Sequence, residues 1–255
     1  MSDEKQGARA IIVTGSSSGI GAALCRQLAE AGTGLVIHAR HNREGCERVA
    51  EACRARGAET AIVLGDVGDT QTARDLVSAA IETFGRLDGI VANAGLPILK
   101  SFEASTREEL DYALGANLAG FYELASSALP HLRKSDCPRM VGVSSLNAHV
   151  FRPGFINFPL SAASKGALEV MVKGLALELA PEAIPVNCVM PGLIEKESGT
   201  ADGLDDEQAA RMRAHLPMGR LGKPDEVAAI IAFLLSPAAS YITGECIGVG
   251  GGVMM

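Results

Sequence analysis

Short runs of apolar, often β-branched residues alternate with longer amphipathic segments along most of the chain. Runs of this kind are typical of strands, and the longer segments are typical of helices. Because right-handed crossovers place helices on both faces of a parallel sheet, the order predicts an α/β fold with a doubly wound parallel sheet of about seven strands. The predicted strands are Ala10–Thr14, Leu35–His38, Thr60–Leu64, Gly89–Ala92, Met140–Ser144, Pro185–Met190 and Cys246–Val249. The predicted helices are Ile20–Ala31, Glu44–Arg56, Thr70–Phe84, Arg107–His131, Ala162–Ala180 and Pro224–Leu235.

The chain length of 255 residues fits one α/β domain, so we expect a single domain over residues 1–255. One long irregular stretch, Leu193–Leu221, is polar and contains a short helical pattern near Asp205–Ala214. Long loops inside compact domains often cover a functional site, and we therefore predict a lid there. A passive surface excursion is the alternative.

The charge balance and residue spacing exclude several classes of function. A formal net charge of −7 argues against nucleic acid as a partner, because phosphate backbones need clustered Lys and Arg. The six cysteines form no C-x-x-C pair and the five histidines show no ligand spacing, so no metal site is predicted.

The hydropathy pattern gives no sign of a membrane segment. The longest apolar run, Val227–Leu235, is far shorter than the roughly 20 residues that a spanning helix needs. The polar start MSDEKQGARA carries no signal-peptide core. We expect a cytoplasmic protein that does not interact with membranes.

A glycine-rich turn follows the first predicted strand and leads directly into the first predicted helix. It reads TGSSSGIG from Thr14 to Gly21. Glycines let a backbone approach a pyrophosphate closely, and the helix N-terminus offers unpaired N–H groups and a partial positive charge. The turn therefore predicts a dinucleotide site, whereas a purely structural turn is the alternative. The candidate binding residues of the turn are Gly15, Ser17, Ser18, Gly19, Ile20 and Gly21.

The end of the second strand distinguishes the two nicotinamide cofactors. An acidic residue there would bind the ribose hydroxyls of NAD(H), but this chain has Ala39 followed by Arg40. With His41 and Arg43 nearby, Arg40 is suited to a 2′-phosphate through charge-assisted hydrogen bonds. We predict a preference for NADP(H), with NAD(H) as the alternative cofactor.

Several further motifs follow in a fixed order, and with them the chain resembles the short-chain dehydrogenase/reductase family over nearly its whole length. They are Asp66-Val67, Asn93-Ala94-Gly95, Asn117, Ser144-Ser145, Ser164-Lys165, Val186-Asn187, Pro191-Gly192 and Tyr241-Ile242-Thr243-Gly244. The resemblance implies that Asp66 and Val67 contact adenine and that Asn93, Ala94 and Gly95 support the sheet and a ribose. It also implies that Lys165 holds the nicotinamide ribose. Nicotinamide would be flanked by Pro191, Gly192 and Ile194.

Members of this family interconvert carbonyls and alcohols with an Asn, Ser, Tyr and Lys. By the resemblance, Asn117 would anchor a water, Ser145 would polarise the carbonyl, and Lys165 would assist the tyrosine. The tyrosine position, four residues before the lysine, is occupied by Ser161. Related enoyl reductases carry tyrosine seven residues before the lysine, where this chain has Phe158. Lys196 and Gly250 also depart from the common pattern.

Three explanations of Ser161 remain open at this stage. The chain is a reductase disabled by one substitution, or an enzyme with another proton source such as Ser161 itself, a water or a substrate group. The third explanation is a cofactor-binding pseudoenzyme that acts as a sensor or subunit partner. A missing general acid typically costs about 10²–10⁴-fold in rate. Some turnover would therefore remain under the first two explanations, and none under the pseudoenzyme explanation.

Apolar residues near the predicted site indicate a partly apolar carbonyl or alcohol as the small-molecule substrate. They are Leu146, Val150, Phe151, Phe155, Phe158, Leu193 and Leu216, with His149 and Arg152 among them. Ordinary packing beneath a lid is the alternative. The resemblance further implies a homotetramer or homodimer assembled through the helices near 107–131 and 162–180.

Overall fold

The computed structural model describes residues 9–95, 97–153, 155, 157–195 and 215–255. Within them, seven strands form one sheet. Their bounds are β1 Arg9–Val13, β2 Thr33–Ala39, β3 Glu59–Leu64, β4 Gly89–Ala92, β5 Arg139–Val143, β6 Val186–Pro191 and β7 Cys246–Val249.

In the described part of the chain, seven α-helices connect and cover the strands. Their bounds are α1 Gly19–Leu28, α2 Arg43–Arg54, α3 Thr70–Phe84, α4 Arg107–Leu114, α5 Gly120–Leu132, α6 Pro159–Leu179 and α7 Pro224–Leu234. A turn of π-helix, Gly115–Ala119, joins α4 to α5, and a 3₁₀ turn, Leu146–Ala148, follows β5.

The strand order is β3-β2-β1-β4-β5-β6-β7, and every neighbouring pair is parallel. The order reverses at β1, which pairs with β2 on one side and with β4 on the other. Ligands of open α/β sheets bind beyond the carboxyl ends of the strands at such a reversal. The predicted doubly wound parallel sheet is confirmed, and it directs attention to the loops after β1 and β4.

Alternate residues of the strands supply two separate cores, one on each face of the sheet. Ile11 and Val13 of β1 pack with residues of α1, α2 and α7, whereas Ile12 packs with residues of α3, α5 and α6. Both faces are covered by apolar helix surfaces, which explains why the strands read as nearly continuous hydrophobic runs. The two cores hold the sheet rigid beneath the loops at its carboxyl edge.

The predicted elements agree with the structure except in the middle of the chain. Most boundaries differ by a few residues, and Thr70–Phe84, Gly89–Ala92 and Cys246–Val249 coincide with observed elements. The segment predicted as one helix over Arg107–His131 is helical throughout, but it contains a turn of π-helix around Asn117 that was not predicted. Hydrophobic periodicity does not reveal one inserted residue, and π turns of this kind occur frequently at functional sites.

The two ends of the predicted lid meet beside the sheet. Ile194 forms a parallel bridge with Gly222, and Leu193 packs near Leu216 and Leu221. Residues 196–214, including the predicted helix Asp205–Ala214 and Lys196, lie outside the described residues. The lid and the single domain over 1–255 stay predictions. In the portion of the chain that is described, no helix has both the length and the hydropathy needed to cross a bilayer.

Candidate active site

A cleft of about 640 Å³ lies along the carboxyl edge of the sheet. It begins at the glycine-rich turn after β1, passes the ends of β2 and β3, and reaches the start of α6 and the end of β6. The predicted site residues that line it are Gly15, Ser17, Ser18, Ile20, Arg40, Asp66, Val67, Asn93, Ala94, Gly95, Asn117, Ser145, Ser161, Lys165, Pro191, Gly192 and Ile194. Of the predicted set, Gly19 and Gly21 are not in the lining.

The glycine-rich turn owes its glycines to close packing as well as to backbone geometry. Gly15 has a φ of +62°, and a Cβ there would lie 2.8 Å from Cα of Ala94. A Cβ on Gly21 would lie 2.6 Å from the carbonyl oxygen of Gly15. Ser18 precedes α1 and makes no capping hydrogen bond with its side chain. The first N–H groups of α1 thus face a cleft wall suited to an anion.

His38 on β2 supports the glycine-rich turn through a hydrogen bond to Gly15. Its Nδ1 accepts a hydrogen bond of 3.1 Å from the N–H of Gly15, so the ring proton lies on Nε2, which donates to the carbonyl of Gly65 at 3.0 Å. Burial lowers the pKa of His38, outweighing its contacts with Gly65 and Asp66. A neutral imidazole therefore links β1, β2 and the end of β3. His38 was not predicted as a site residue, and its only signal in the sequence is a polar side chain in an apolar strand.

Asn93 completes the support of the turn from β4. Its side-chain Nδ2 donates to the carbonyls of Thr14 and Gly15 at 2.9 and 3.0 Å, and its own N–H donates to Oγ1 of Thr14. These contacts join the two loops at the point where the strand order reverses. They agree with the predicted architectural role of Asn93.

Arg40 lies at the cleft end near β2 and bridges two other segments. Its Nε is 3.0 Å from Oδ2 of Asp66, and its Nη1 donates to the hydroxyl of Tyr112 at 2.8 Å. The guanidinium also lies over the Tyr112 ring, 5.3 Å from the centroid. Arg40 remains half exposed, and Tyr112 was not expected at this site.

Ser145 follows β5 and sits at the other end of the cleft. Its Oγ accepts a hydrogen bond of 3.2 Å from the N–H of Asn147. An accepted bond of this kind uses a lone pair and leaves the hydroxyl proton available to a neighbour in the cleft. Ser145 is thereby fixed by the 3₁₀ turn that it begins.

Beneath that turn, a buried carboxylate joins β5 to α6. Glu169 is 5% exposed, accepts a hydrogen bond from Oγ of Ser144, and lies 2.8 Å from Nε2 of His149. Both partners flank Ser145 in the chain. The contacts tie the loop that carries Ser145 to α6.

Asn117 projects from the π turn into the region between α5 and α6. Its Nδ2 donates to Oγ of Ser164 at 2.9 Å, and Ser164 donates onward to the carbonyl of Ser161. Its buried Oδ1 has no hydrogen-bond partner among the described residues. A buried amide oxygen without a partner is costly, so this atom is suited to a donor that enters the cleft.

Lys165 reaches the same region from α6. Its Nζ donates to the carbonyl of Val143 at 2.7 Å. Burial of the ammonium lowers the pKa of Lys165 from 10.5 to about 8, despite the opposing influence of Cys188 and Glu169. A Cβ added to Gly95 would lie 2.5 Å from Oδ1 of Asn117 and 2.9 Å from Nζ of Lys165. The two polar atoms therefore face one small space.

Ser161 lies one helical turn before Lys165 and is 3% exposed. Its Oγ accepts a hydrogen bond of 2.7 Å from the N–H of Ile98 and lies 3.3 Å from the carbonyl oxygen of the same residue. The segment that contains Ile98 was not predicted to form part of the site. Its neighbours Pro97 and Leu99 line the cleft.

The structure brings only some of the predicted substrate residues to the cleft. Leu146, Phe158 and Leu193 line the cleft. Phe155 packs with Leu193 and Leu216 in a small apolar cluster, while Phe151 is largely exposed. Val150 is buried.

The arrangement is suited to a dinucleotide. An anion site at α1, a cation at the end of β2 and a polar space beside Gly95 lie in order along one cleft. The unpartnered Oδ1 of Asn117 and the amine of Lys165 match the hydroxyls of a ribose or an ordered water. Among the described residues, no group of three or more His, Cys, Asp or Glu side chains is placed to hold a metal ion.

The fold and the cleft define the class of protein as an NAD(P)-dependent oxidoreductase of the Rossmann-like type. Comparison with known proteins gives the family. Residues 15–254 match the family model described as enoyl-(acyl carrier protein) reductase. The chain belongs to the short-chain dehydrogenase/reductase family.

Individual relatives match over nearly their full lengths. The chain is similar to 3-oxoacyl-(acyl-carrier-protein) reductase FabG of Aggregatibacter actinomycetemcomitans, with 38% identity over 95% of this chain and 98% of the relative. The structure of a short-chain dehydrogenase/reductase from Serratia marcescens superimposes with a TM-score of 0.90 and 32% identity, covering 98% of this chain and 99% of the other. A short-chain dehydrogenase from Burkholderia cenocepacia in complex with NADP gives a TM-score of 0.89 and 33% identity, with 98% and 99% coverage.

Proposed function

We propose that this chain is an NADP(H)-dependent oxidoreductase that interconverts a carbonyl and an alcohol on a partly apolar small molecule. The observation that carries the proposal is the convergence of Asn117, Ser145 and Lys165 at one end of the cleft that starts at the glycine-rich turn. Bound there, the nicotinamide cofactor supplies or accepts the hydride.

Each part of the cofactor has matching residues along the cleft. The turn from Gly15 to Ile20 would hold the pyrophosphate, with Gly21 closing the packing behind it. Asp66 and Val67 would contact adenine, Asn93 to Gly95 and Lys165 the nicotinamide ribose, and Pro191, Gly192 and Ile194 the nicotinamide. The Burkholderia relative was solved in complex with NADP, which supports NADP(H) as the cofactor.

Arg40 supports the choice of NADP(H) over NAD(H). Asp66 and Tyr112 hold its guanidinium at the cleft, where it would bind a 2′-phosphate through charge-assisted hydrogen bonds. Such bonds contribute about 1.5–3 kcal/mol, or roughly 10- to 150-fold in Kd. We expect Arg40→Ala to weaken NADPH by that factor and to leave NADH within threefold. Fluorescence titration with both cofactors tests this, and equal affinity of the unaltered protein for the two would contradict it.

The reacting end of the cleft supplies a hydrogen-bond donor and a cation. Ser145 would donate to the carbonyl oxygen, where negative charge develops during reduction. Lys165, with its pKa near 8, is mainly protonated at pH 7 and stabilises the same charge. Leu99, Leu146 and Phe158 would contact the apolar part of the substrate.

A second candidate function follows from Ser161, which we place at the tyrosine position of the family. Its hydroxyl is engaged by the backbone of Ile98, and a serine is a far poorer acid than a phenol. Both facts favour a pseudoenzyme that binds the cofactor without turnover. NADPH oxidation by the unaltered protein and by Ser161→Tyr, over ketones, ketoacyl thioesters, quinones and sugar carbonyls, separates the candidates. Turnover by the unaltered protein supports the oxidoreductase, and turnover by Ser161→Tyr alone identifies a reductase disabled at position 161. Absence of turnover from both forms supports the pseudoenzyme.

We also propose assembly into a homotetramer or homodimer through α5 and α6. Phe121 and Leu168 belong to the core, but Tyr122, Val170 and Leu177 are 55%, 71% and 80% exposed on these helices. Exposed apolar side chains on neighbouring helices are suited to a subunit interface. A monomeric mass at micromolar concentration in light scattering would contradict the proposal.

A further inference from the structure

We infer that Ser161 is a positioning residue, whose hydroxyl fastens the segment 97–99 to the start of α6 and so forms one wall of the substrate end of the cleft. The contact between Ser161 and Ile98 does not depend on the proposed function. The effect of this contact on substrate binding does rest on the proposed function. The sequence alone placed Ser161 among the catalytic candidates.

The side chain of Ser161 pairs with both polar groups of Ile98. The N–H of Ile98 donates to Oγ at 2.7 Å, and the same hydroxyl faces the carbonyl oxygen of Ile98 at 3.3 Å. A hydroxyl is both a donor and an acceptor, so serine satisfies both groups of that peptide at once. Alanine would satisfy neither.

The segment 97–99 has few other contacts that could hold its backbone. Among the described residues, no other hydrogen bond reaches the backbone of Pro97, Ile98 or Leu99. Both Pro97 and Leu99 line the cleft, and Leu99 is 36% exposed. The position of these two side chains in the cleft therefore depends on the anchor at Ile98.

Hydrogen bonds connect Ser161 to the reacting end of the cleft. The carbonyl of Ser161 accepts from Oγ of Ser164, which accepts from Asn117. The segment after β4 is thus connected through α6 to the π turn. Ser161 lies at the centre of this connection and is buried, while its one proton faces a backbone carbonyl. The hydroxyl is therefore oriented to hold the wall.

The first experiment measures hydrogen exchange at the amide of Ile98 in the protein without cofactor or substrate. The variants are Ser161→Ala, which removes the hydroxyl, and Ser161→Thr, which keeps it. Ser126→Ala, which removes an exposed hydroxyl from α5, is the control. We expect exchange at Ile98 to accelerate at least tenfold in Ser161→Ala only. Unchanged protection in a folded Ser161→Ala variant would overturn the inference.

The second experiment separates positioning from chemistry by steady-state kinetics with any substrate that the panel above identifies. For Ser161→Ala we expect KM to rise about five- to twentyfold, with kcat and its pH profile within twofold. Ser161→Thr should restore KM. A fall in kcat with constant KM, or a changed pH profile, would mean that Ser161 moves the proton and would overturn the inference.

The two experiments distinguish this inference from the proposed function. If Ile98 loses protection in Ser161→Ala but no form of the protein turns over any substrate, the anchor stands and the oxidoreductase proposal fails. If the protein turns over substrate but Ile98 exchange does not respond to Ser161→Ala, the anchor fails and the oxidoreductase proposal stands. Should Ser161→Ala not fold, Ser161→Cys replaces it, because a thiol of similar size is a weak hydrogen-bonding partner.

Discussion

The ammonium of Lys165 donates a hydrogen bond of 2.7 Å to the backbone carbonyl of Val143. That contact holds the amine at the end of β5, beside the unpartnered oxygen of Asn117. The positive charge of Lys165 therefore lies in a partly desolvated place. This position favours the binding of a ligand but lowers the stability of the protein without one. Sites of this kind commonly trade stability for function.

Lys165→Met should therefore stabilise the cofactor-free protein while abolishing turnover. Lowering the pKa from 10.5 to about 8 corresponds to about 3 kcal/mol against the charged form. Loss of the hydrogen bond to Val143 and partial solvation of the ammonium offset some of this penalty. We therefore expect the free energy of unfolding of Lys165→Met to rise by about 1–2 kcal/mol at pH 7. Urea unfolding measures it.

The pH dependence of that stability has a defined sign. Between pH 8 and about 10.5 the unfolded chain holds a proton that the folded Lys165 has released, so this group makes stability rise with pH. Lys165→Met should remove this rise. If Lys165→Met is less stable than the unaltered protein at pH 7, desolvation of the Lys165 ammonium does not destabilise the folded protein.

His38 should make cofactor binding sensitive to acid. Its Nδ1 accepts from Gly15, and protonation at Nδ1 removes that contact. Because burial lowers the pKa of the folded His38, its contribution to stability is present above about pH 6.5 and is lost as the pH falls through the folded value.

We expect the Kd for NADP to rise on acidification below pH 6.5 and His38→Ala to bind weakly with less pH dependence. Calorimetric titration between pH 5 and 7.5 measures both. His131→Ala, which changes a histidine on α5 outside the cleft lining, is the control and should retain the dependence of the unaltered protein. An identical pH dependence in His38→Ala would refute the role of the imidazole.

Glu169→Ala should reduce turnover although Glu169 itself does not line the cleft. The carboxylate holds Ser144 and His149 on either side of Ser145, and its loss leaves the Ser144 hydroxyl without its partner. We expect kcat to fall about 10–100-fold, as small displacements of reacting groups typically cause. Glu178→Ala, an exposed position on the same helix, should be unaffected; equal activities for the two variants would exclude the positioning effect.

Asp88 offers a test of the fold that is separate from the site. Burial raises the pKa of its carboxyl, but hydrogen bonds from Arg86, Ser135 and the N–H of Ala10 outweigh it and lower the pKa overall. Asp88→Ala should cost about 2–4 kcal/mol, because buried donors and a cation lose their partner. Glu82→Ala, exposed on α3, should cost little.

The stability from Asp88 is present above its ordinary pKa of 3.8 and is lost as the pH falls through its lowered folded value. Acid unfolding of the two variants measures this. If Asp88→Ala unfolds at the same pH and with the same free energy as Glu82→Ala, the network at the base of β1 is not stabilising.

The sequence predicted what depends on local pattern and missed what depends on contacts between distant segments. Strand and helix alternation gave the sheet, and the motif order gave the residues from Gly15 to Ile194 that line the cleft. Ile98 carries no motif, and its role appears only when α6 places Ser161 against it. The same holds for Tyr112 and His38. Nothing in the neighbouring sequence indicates that Tyr112 contacts Arg40 or that His38 contacts Gly15.

The π turn at Asn117 shows a different limit. A helical pattern tolerates one extra residue with little change in which positions are apolar, so the periodicity over Arg107–His131 predicts a continuous helix. The interruption places the side chain of Asn117 between α5 and α6. Its presence is a property of the packed structure.

The most direct test of hydride transfer uses NADPH deuterated at the transferable position of the nicotinamide, with mass spectrometry of the alcohols formed from the same carbonyl panel. Deuterium on the carbinol carbon is detectable even when turnover is slow. We expect labelled alcohol from the unaltered protein and none from Lys165→Met. NADPH binding without labelled alcohol from any carbonyl would contradict the account and identify the chain as a cofactor-binding pseudoenzyme.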